Sequence, residues 1–252
     1  MTMATHSDRP AMAFRLGRYF LMPAFIAAVC ASLFVYLSQQ EPDRIVAQRL
    51  NFDSIVDSTL RHLYLVGVST VLVIAIAVPL GILLTRPFAR TLTPPFVTVA
   101  NTGQAVPSFG VIVLFALTLG FGVRYAIAAL TIYAFLPVLR NTMVGLQQVD
   151  PSVIEAGRGM GMSKRAVLAK IELPLAVPVV LAGVRTALVL NVGTATIVTL
   201  TDAGGLGDII NAGLVTNRTL LVVTGGVLTA ALALLVDYIA AIAENVLRPR
   251  GL

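Results

Sequence analysis

Six stretches dominated by apolar residues divide the chain: Tyr19 to Leu37, Leu63 to Leu84, Leu92 to Phe121, Tyr125 to Leu139, Leu175 to Leu200 and Thr219 to Ala243. A helix needs about 20 mostly apolar residues to cross about 30 Å of hydrocarbon. The pattern therefore predicts an all-α membrane protein with about six transmembrane helices. The first stretch exceeds the apolar core of about 7 to 15 residues found in a signal peptide, so it reads as a retained helix behind a polar tail, residues 1–18. Residues 38–60 are polar and predict an outside loop with a short surface helix. Pro79 and Gly81 soften the second span, and Thr85 to Arg90 turns inside. The third stretch is too long and too interrupted for one plain span. Its middle, NTGQAVPSFG from Asn101 to Gly110, breaks the helix and places polar groups where lipid cannot satisfy them, so this face is expected to be buried or to line water. Gly120 to Arg124 is an outside turn, and Asp202 to Arg218 is an outside segment carrying GGLGD at 204–208.

Composition agrees with the bilayer as solvent. Of 252 residues 57% are hydrophobic and 12% charged, against about 25% charged in soluble domains. The excess of 18 Lys and Arg over 12 acids is explained by cytoplasmic loops and anionic lipid, with no nucleic-acid partner needed. With both termini cytoplasmic, Arg9, Arg15, Arg18, Arg86, Arg90, Arg140, Arg158, Lys164, Arg165, Lys170, Arg248 and Arg250 lie inside. Only Arg44, Arg49, Arg61, Arg124 and Arg218 lie outside, which favours this orientation over its inverse. One cysteine and two histidines exclude an intrachain disulfide and argue against a His/Cys metal site, and no cofactor is expected. The organisation predicted is one transmembrane domain over residues 19–252, its core about 62–245, with a loop at 140–174.

That loop is the longest polar and basic interruption, DPSVIEAGRGMGMSKRAVLAKIELP from Asp150 to Pro174. Asp150 before Pro151 suits an N-cap, and Ser152 with Glu155 fits a capping box. Gly157, Gly159 and Gly161 are expected to interrupt this first helix. Ser163 then caps a second helix, Lys164 to Glu172, which Pro174 is expected to end. Val167, Leu168 and Ile171 share one face of that helix, which could lie at the membrane interface or dock a protein.

Glu155, Ala156, Gly157, then Gly161 after three residues, and Ile171, Leu173 and Pro174 after nine more resemble the signature E-A-A-x3-G-x9-I-x-L-P of binding-protein-dependent ABC importer permeases. Gly157 stands in for the second alanine. His62 to Arg86 and Pro174 to Leu214 are similar to the glycine betaine, carnitine and choline branch of that family. The resemblance extends from about His62 to the C-terminus and hardly touches residues 1–61. It implies a type I importer fold, a five-helix core preceded by one N-terminal helix, in the bacterial inner membrane. It also implies two ATPase subunits docked on the 140–174 loop, a second permease copy or a sister permease, and an extracytoplasmic substrate-binding protein. No Walker A sequence occurs, so the chain is expected to be a transport subunit and not an enzyme.

Under this reading Glu155, Ala156, Gly157, Arg158 and Gly161 form the ATPase-coupling surface. Glu155 also suits the dipole of its own helix. Gln104, Ser108, Asn191, Thr194 and Thr196 are candidates for the translocation path, though small polar residues also join membrane helices to one another. Arg185 and Asp237 fall at similar depth in the last two spans and are expected to pair. The GGLGD loop follows a span without a P-loop lysine, so it is no phosphate cradle; it is a surface for the binding protein or an ordinary turn. Two other classes compete. An ion-coupled carrier needs carboxylates in its spans, where only Asp237 qualifies, and an intramembrane enzyme needs a convergent nucleophile and base, which is absent from the pattern. The exact solute is not legible in the residues.

Overall fold

The apolar stretches form a helical bundle in the computed structural model, which describes residues 9–89 and 91–247, with side chains from Phe20 onward except that of Gln104. Among the described residues there is no strand. The helices are α1 (Arg9–Ser38), α2 (Arg44–Arg49), α3 (Phe52–Leu84), α4 (Thr93–Ala105), α5 (Ser108–Leu119), α6 (Val123–Gln147), α7 (Pro151–Gly159), α8 (Lys164–Val167), α9 (Leu173–Ala195), α10 (Gly207–Val215) and α11 (Thr219–Leu247). Five spans are long and apolar enough to cross a membrane, and α4 with α5, bent by 90° at their break, is a sixth if the pair counts as one span rather than a re-entrant loop.

The interior is built by α3, α6 and α9, with α11 packed on α9 and α10, and α1 on the outside of α11. Leu65, Val73, Leu130, Leu139 and Val192 are fully buried there, whereas Val71 and Leu117 point outward. In lipid the outward residues lose nothing by exposure, so packing density and not apolar burial holds the helices together. Two glycines show how. A Cβ on Gly145 would lie 3.1 Å from the Ala176 carbonyl, and one on Gly183 3.0 Å from the Pro137 carbonyl, so α6 and α9 approach backbone to backbone.

Several boundaries depart from the sequence pattern. The second span begins at Phe52, inside the stretch expected to be loop, because Asn51 accepts the Ser54 N–H and caps a 33-residue helix. That helix runs through Pro79 without interruption. At about 1.5 Å per residue it is about 50 Å long and outreaches the hydrocarbon. The fourth span continues past Arg140 to Gln147. Pro174 does not end the helix before it. A π-helical turn, Leu168–Glu172, follows α8, and the Leu173 N–H bonds to the Leu168 carbonyl five residues back. The widened turn relieves the clash between the proline ring and the preceding turn, so Lys164 to Ala195 continues as one helix. In the segment after the fifth span, α10 is a helix that the turn-rich pattern concealed.

Candidate functional site at the hairpin end of the bundle

Asp150 accepts the Ser152 N–H and starts α7, and that N–H holds its carboxyl below the ordinary carboxylate range. Helix α7 runs through Gly157 to Gly159, so only Gly161 breaks it, with φ +85 in the left-handed region. Gly157 has a different role. It is buried, and a Cβ there would lie 2.6 Å from Cδ1 of Ile171. The apolar face of the second helix, Val167 and Ile171, therefore covers α7 and not a lipid surface. Glu155, Ala156, Arg158 and Gly161 stay exposed beside Val153 and Met160. The result is a compact hairpin with one charged and apolar face turned outward.

The hairpin is fastened to α3 by a contact the sequence pattern did not disclose. Glu172, 8% exposed, receives Nη2 of Arg86 at 2.7 Å and Nη1 at 3.4 Å. Arg86 is held in turn by the Ile82 carbonyl and the Thr85 hydroxyl. The available signal was a charge at the end of each span, but its partner lies 86 residues away, beyond local patterning.

Arg185 and Asp237 meet between α9 and α11. Nε and Nη2 of Arg185 donate to the two carboxylate oxygens at 2.5 and 2.7 Å, a bidentate geometry. Glu244 stands 3.7 Å from Nη1. These side chains line an open cleft with Thr186 and Leu190 and are only partly covered.

The residues nominated for a path sit in different surroundings. Asn191 is fully buried and donates to Ser69 (3.0 Å) and Thr70 (3.3 Å) of α3, with no partner for its Oδ1 among the described residues. Thr194 is buried nearby, and Thr196 is half-buried, donating to the Gly193 carbonyl. Ser108 is half-buried at the start of α5, next to the bend. Gln104 lies in α4, but its side chain is outside the described residues. Beside the bend, α4, α5 and α6 enclose about 240 Å³ lined by Phe96, Tyr133 and Phe135 among others.

At the far end from the hairpin, His62 of α3 is completely buried. The Leu206 N–H reaches its Nδ1 at 3.3 Å, and its Nε2 lies 3.0 Å from the Val192 carbonyl. A neutral ring protonated on Nε2 satisfies both contacts. The Val192 carbonyl needs this donor because Thr196 N–H turns to Gly193 as α9 tightens. From His62 to the end of α3 at Leu84 is about 33 Å, more than the thickness of about 30 Å of hydrocarbon.

The family described as "Binding-protein-dependent transport system inner membrane component" matches residues 77–249. The carnitine transport permease protein OpuCD of Listeria monocytogenes is 37% identical over 190 residues, covering 75% of this chain and 84% of that protein. The glycine betaine/carnitine/choline transport system permease protein OpuCD of Bacillus subtilis is 40% identical over 191 residues, covering 75% and 82%. The choline transport system permease protein OpuBB of Bacillus subtilis is 37% identical over 194 residues, covering 77% and 88%. Among solved structures, an inward-facing conformation of the MetNI methionine ABC transporter superposes with a TM-score of 0.68 at 24% identity, over 77% of this chain and 96% of that one, a likeness of fold. With the spans, the hairpin and these similarities in agreement, the chain belongs to the binding-protein-dependent inner membrane components, as a permease subunit of an ABC importer that works with separate ATPase subunits.

Proposed function

We propose that this permease moves quaternary-ammonium osmoprotectants such as glycine betaine, choline or carnitine into the cell. The names of its relatives support the solute class. The hairpin supports the mode of action: α7 is rigidly backed by Ile171 through Gly157, and it turns Glu155, Ala156 and Arg158 outward. Such a surface suits a groove on an ATPase. Both termini and the hairpin are cytoplasmic, residues 140–174 are the coupling loop, and a second copy or a sister permease completes the pore. A separate extracytoplasmic binding protein delivers the solute. Driving a two-state opening from 1:99 to 99:1 takes about 5.5 kcal/mol of differential binding, which nucleotide-bound ATPases supply through the hairpin.

Ser108, Thr194 and Thr196 with Gln104 remain the candidates for the solute path, while the surroundings of Asn191 favour a joint between α3 and α9. The Arg185 and Asp237 pair fixes the last two spans to each other. Uptake of labelled choline, glycine betaine and carnitine into vesicles holding the chain, its ATPase and its binding protein tests the function. ATP-dependent uptake is expected. Uptake by the chain alone down an ion gradient would instead establish a secondary carrier, and uptake of an unrelated polar solute would move the assignment within the family. For the ion pair, Arg185→Ala and Asp237→Ala are each expected to lose uptake and the charge-exchanged double variant to regain it.

A further inference from the structure

Between the outward face of α7 and the interior of the bundle, two side-chain contacts stand in series. Ile171 abuts Gly157. Its neighbour Glu172, the last residue of the π-helical turn, carries its carboxylate to Arg86. Arg86 is not a loose surface arginine. Its Nε donates to the Ile82 carbonyl at 3.2 Å and its Nη2 to the Thr85 hydroxyl at 3.1 Å, so its guanidinium is oriented by the last turn of α3. The Ile82 carbonyl also accepts the Thr85 hydroxyl at 2.7 Å, so the three groups form one small network that ties the charge to the end of α3. Glu172 is buried, and its two oxygens both face this one guanidinium. Separating a buried carboxylate from the guanidinium it faces carries a large cost, so the two elements move together or the contact breaks.

We propose that Arg86 is a positioning residue for transport, and that its grip on Glu172 makes α3 follow the hairpin when the ATPases move it. The π-helical turn contributes by carrying the chain on past Pro174, so that the same displacement reaches α9 along an unbroken helix. One hairpin movement thereby drives two antiparallel spans at once, and those spans are joined again at Asn191 and at His62. This rests on the reading of the hairpin as the ATPase-docking element.

The test uses the whole importer in vesicles and reads ATP hydrolysed per solute taken up, alongside ATPase co-purification. Glu172→Gln and Arg86→Ala are expected to assemble and hydrolyse ATP, with the ratio rising about tenfold, within the 5- to 150-fold range of allosteric couplings. The exchange Arg86→Glu with Glu172→Arg is expected to restore most of it, as a direct interaction requires. Arg86→Lys keeps the charge without the two-pronged geometry, so it gives a readable intermediate ratio should the alanine variant fail to insert. An unchanged ratio in assembled Glu172→Gln and Arg86→Lys complexes overturns the latch and leaves docking intact. If Glu155→Arg leaves ATPase co-purification unaffected, the docking reading itself falls, and the latch with it.

Discussion

Helices α3 and α9 run antiparallel and meet at both ends, but the two ends are built differently. At the far end His62 is fully enclosed and bonded to two backbone groups, and Gly207 lies against the Thr196 carbonyl where no Cβ fits. At the hairpin end the link is one side-chain ion pair, a partly exposed Arg86 with a buried Glu172, and beside it Gly157 of α7 accepts Ile171. Backbone partners and missing Cβ atoms leave no room for sliding, whereas a side-chain pair can transmit a push and re-form. The far end reads as a fixed anchor and the hairpin end as the place where movement enters.

The largest expected effect falls on the anchor. His62→Ala leaves the Leu206 N–H and the Val192 carbonyl unpaired in the interior. At about 1–3 kcal/mol per orphaned group, thermal unfolding in detergent should shift well below that of the parent. A variant that melts normally would show that the anchor lies elsewhere.

A middle-sized effect is expected at Gly157. The substitution Gly157→Leu must expel Ile171 and should cost about 1–3 kcal/mol while loosening ATPase attachment. For Gly157→Ala the side chain met is only the far end of Ile171, and a gain in helix preference of about 1 kcal/mol offsets the displacement. Near-parent melting with retained attachment is expected there. If alanine and leucine behaved alike, the close approach would not be what seats the hairpin.

The smallest effect belongs to the exposed pair of Asp43 with Arg218, which ties α2 to the turn before α11. The Asp43 carboxyl is held below its ordinary value first by the Val46 N–H and then by Arg218. A lowered value in the folded state means the contribution is complete above the ordinary carboxylate pKa of about 3.9 and fades as pH falls through the lowered one. Melting of Asp43→Ala should therefore differ slightly from the parent at pH 7 and converge with it in strong acid. A difference that persists in acid would assign the effect to lost packing.

Legibility in the sequence followed the range of the interaction. The spans were visible because apolar length is a local property, and the bend in the third span showed in its proline and polar run. Capping by Asp150 and Ser163 was readable for the same reason. Helix ends were misplaced where a local signal was overridden: Pro174 is carried by a π-helical turn, and the polar residues after Asn51 extend α3. Arg185 and Asp237 could be matched by depth because two long spans act as rulers. Arg86 and Glu172 could not, since Arg86 lies past the end of α3 and Glu172 sits in a π-helical turn that the sequence pattern does not place.

The order of residues by itself determined that this chain lives in a bilayer, where its helices lie, and that a glycine-rich hairpin with the importer signature interrupts them. These follow from transfer energetics and caps that act over a few residues. Only the tertiary structure decided what the glycines are for and which charges meet. It also decided that the signature segment presents one face outward, packs Gly157 against its own Ile171 and sends Glu172 to Arg86. Those outcomes depend on distances between helices far apart in sequence, set by packing that no local pattern encodes.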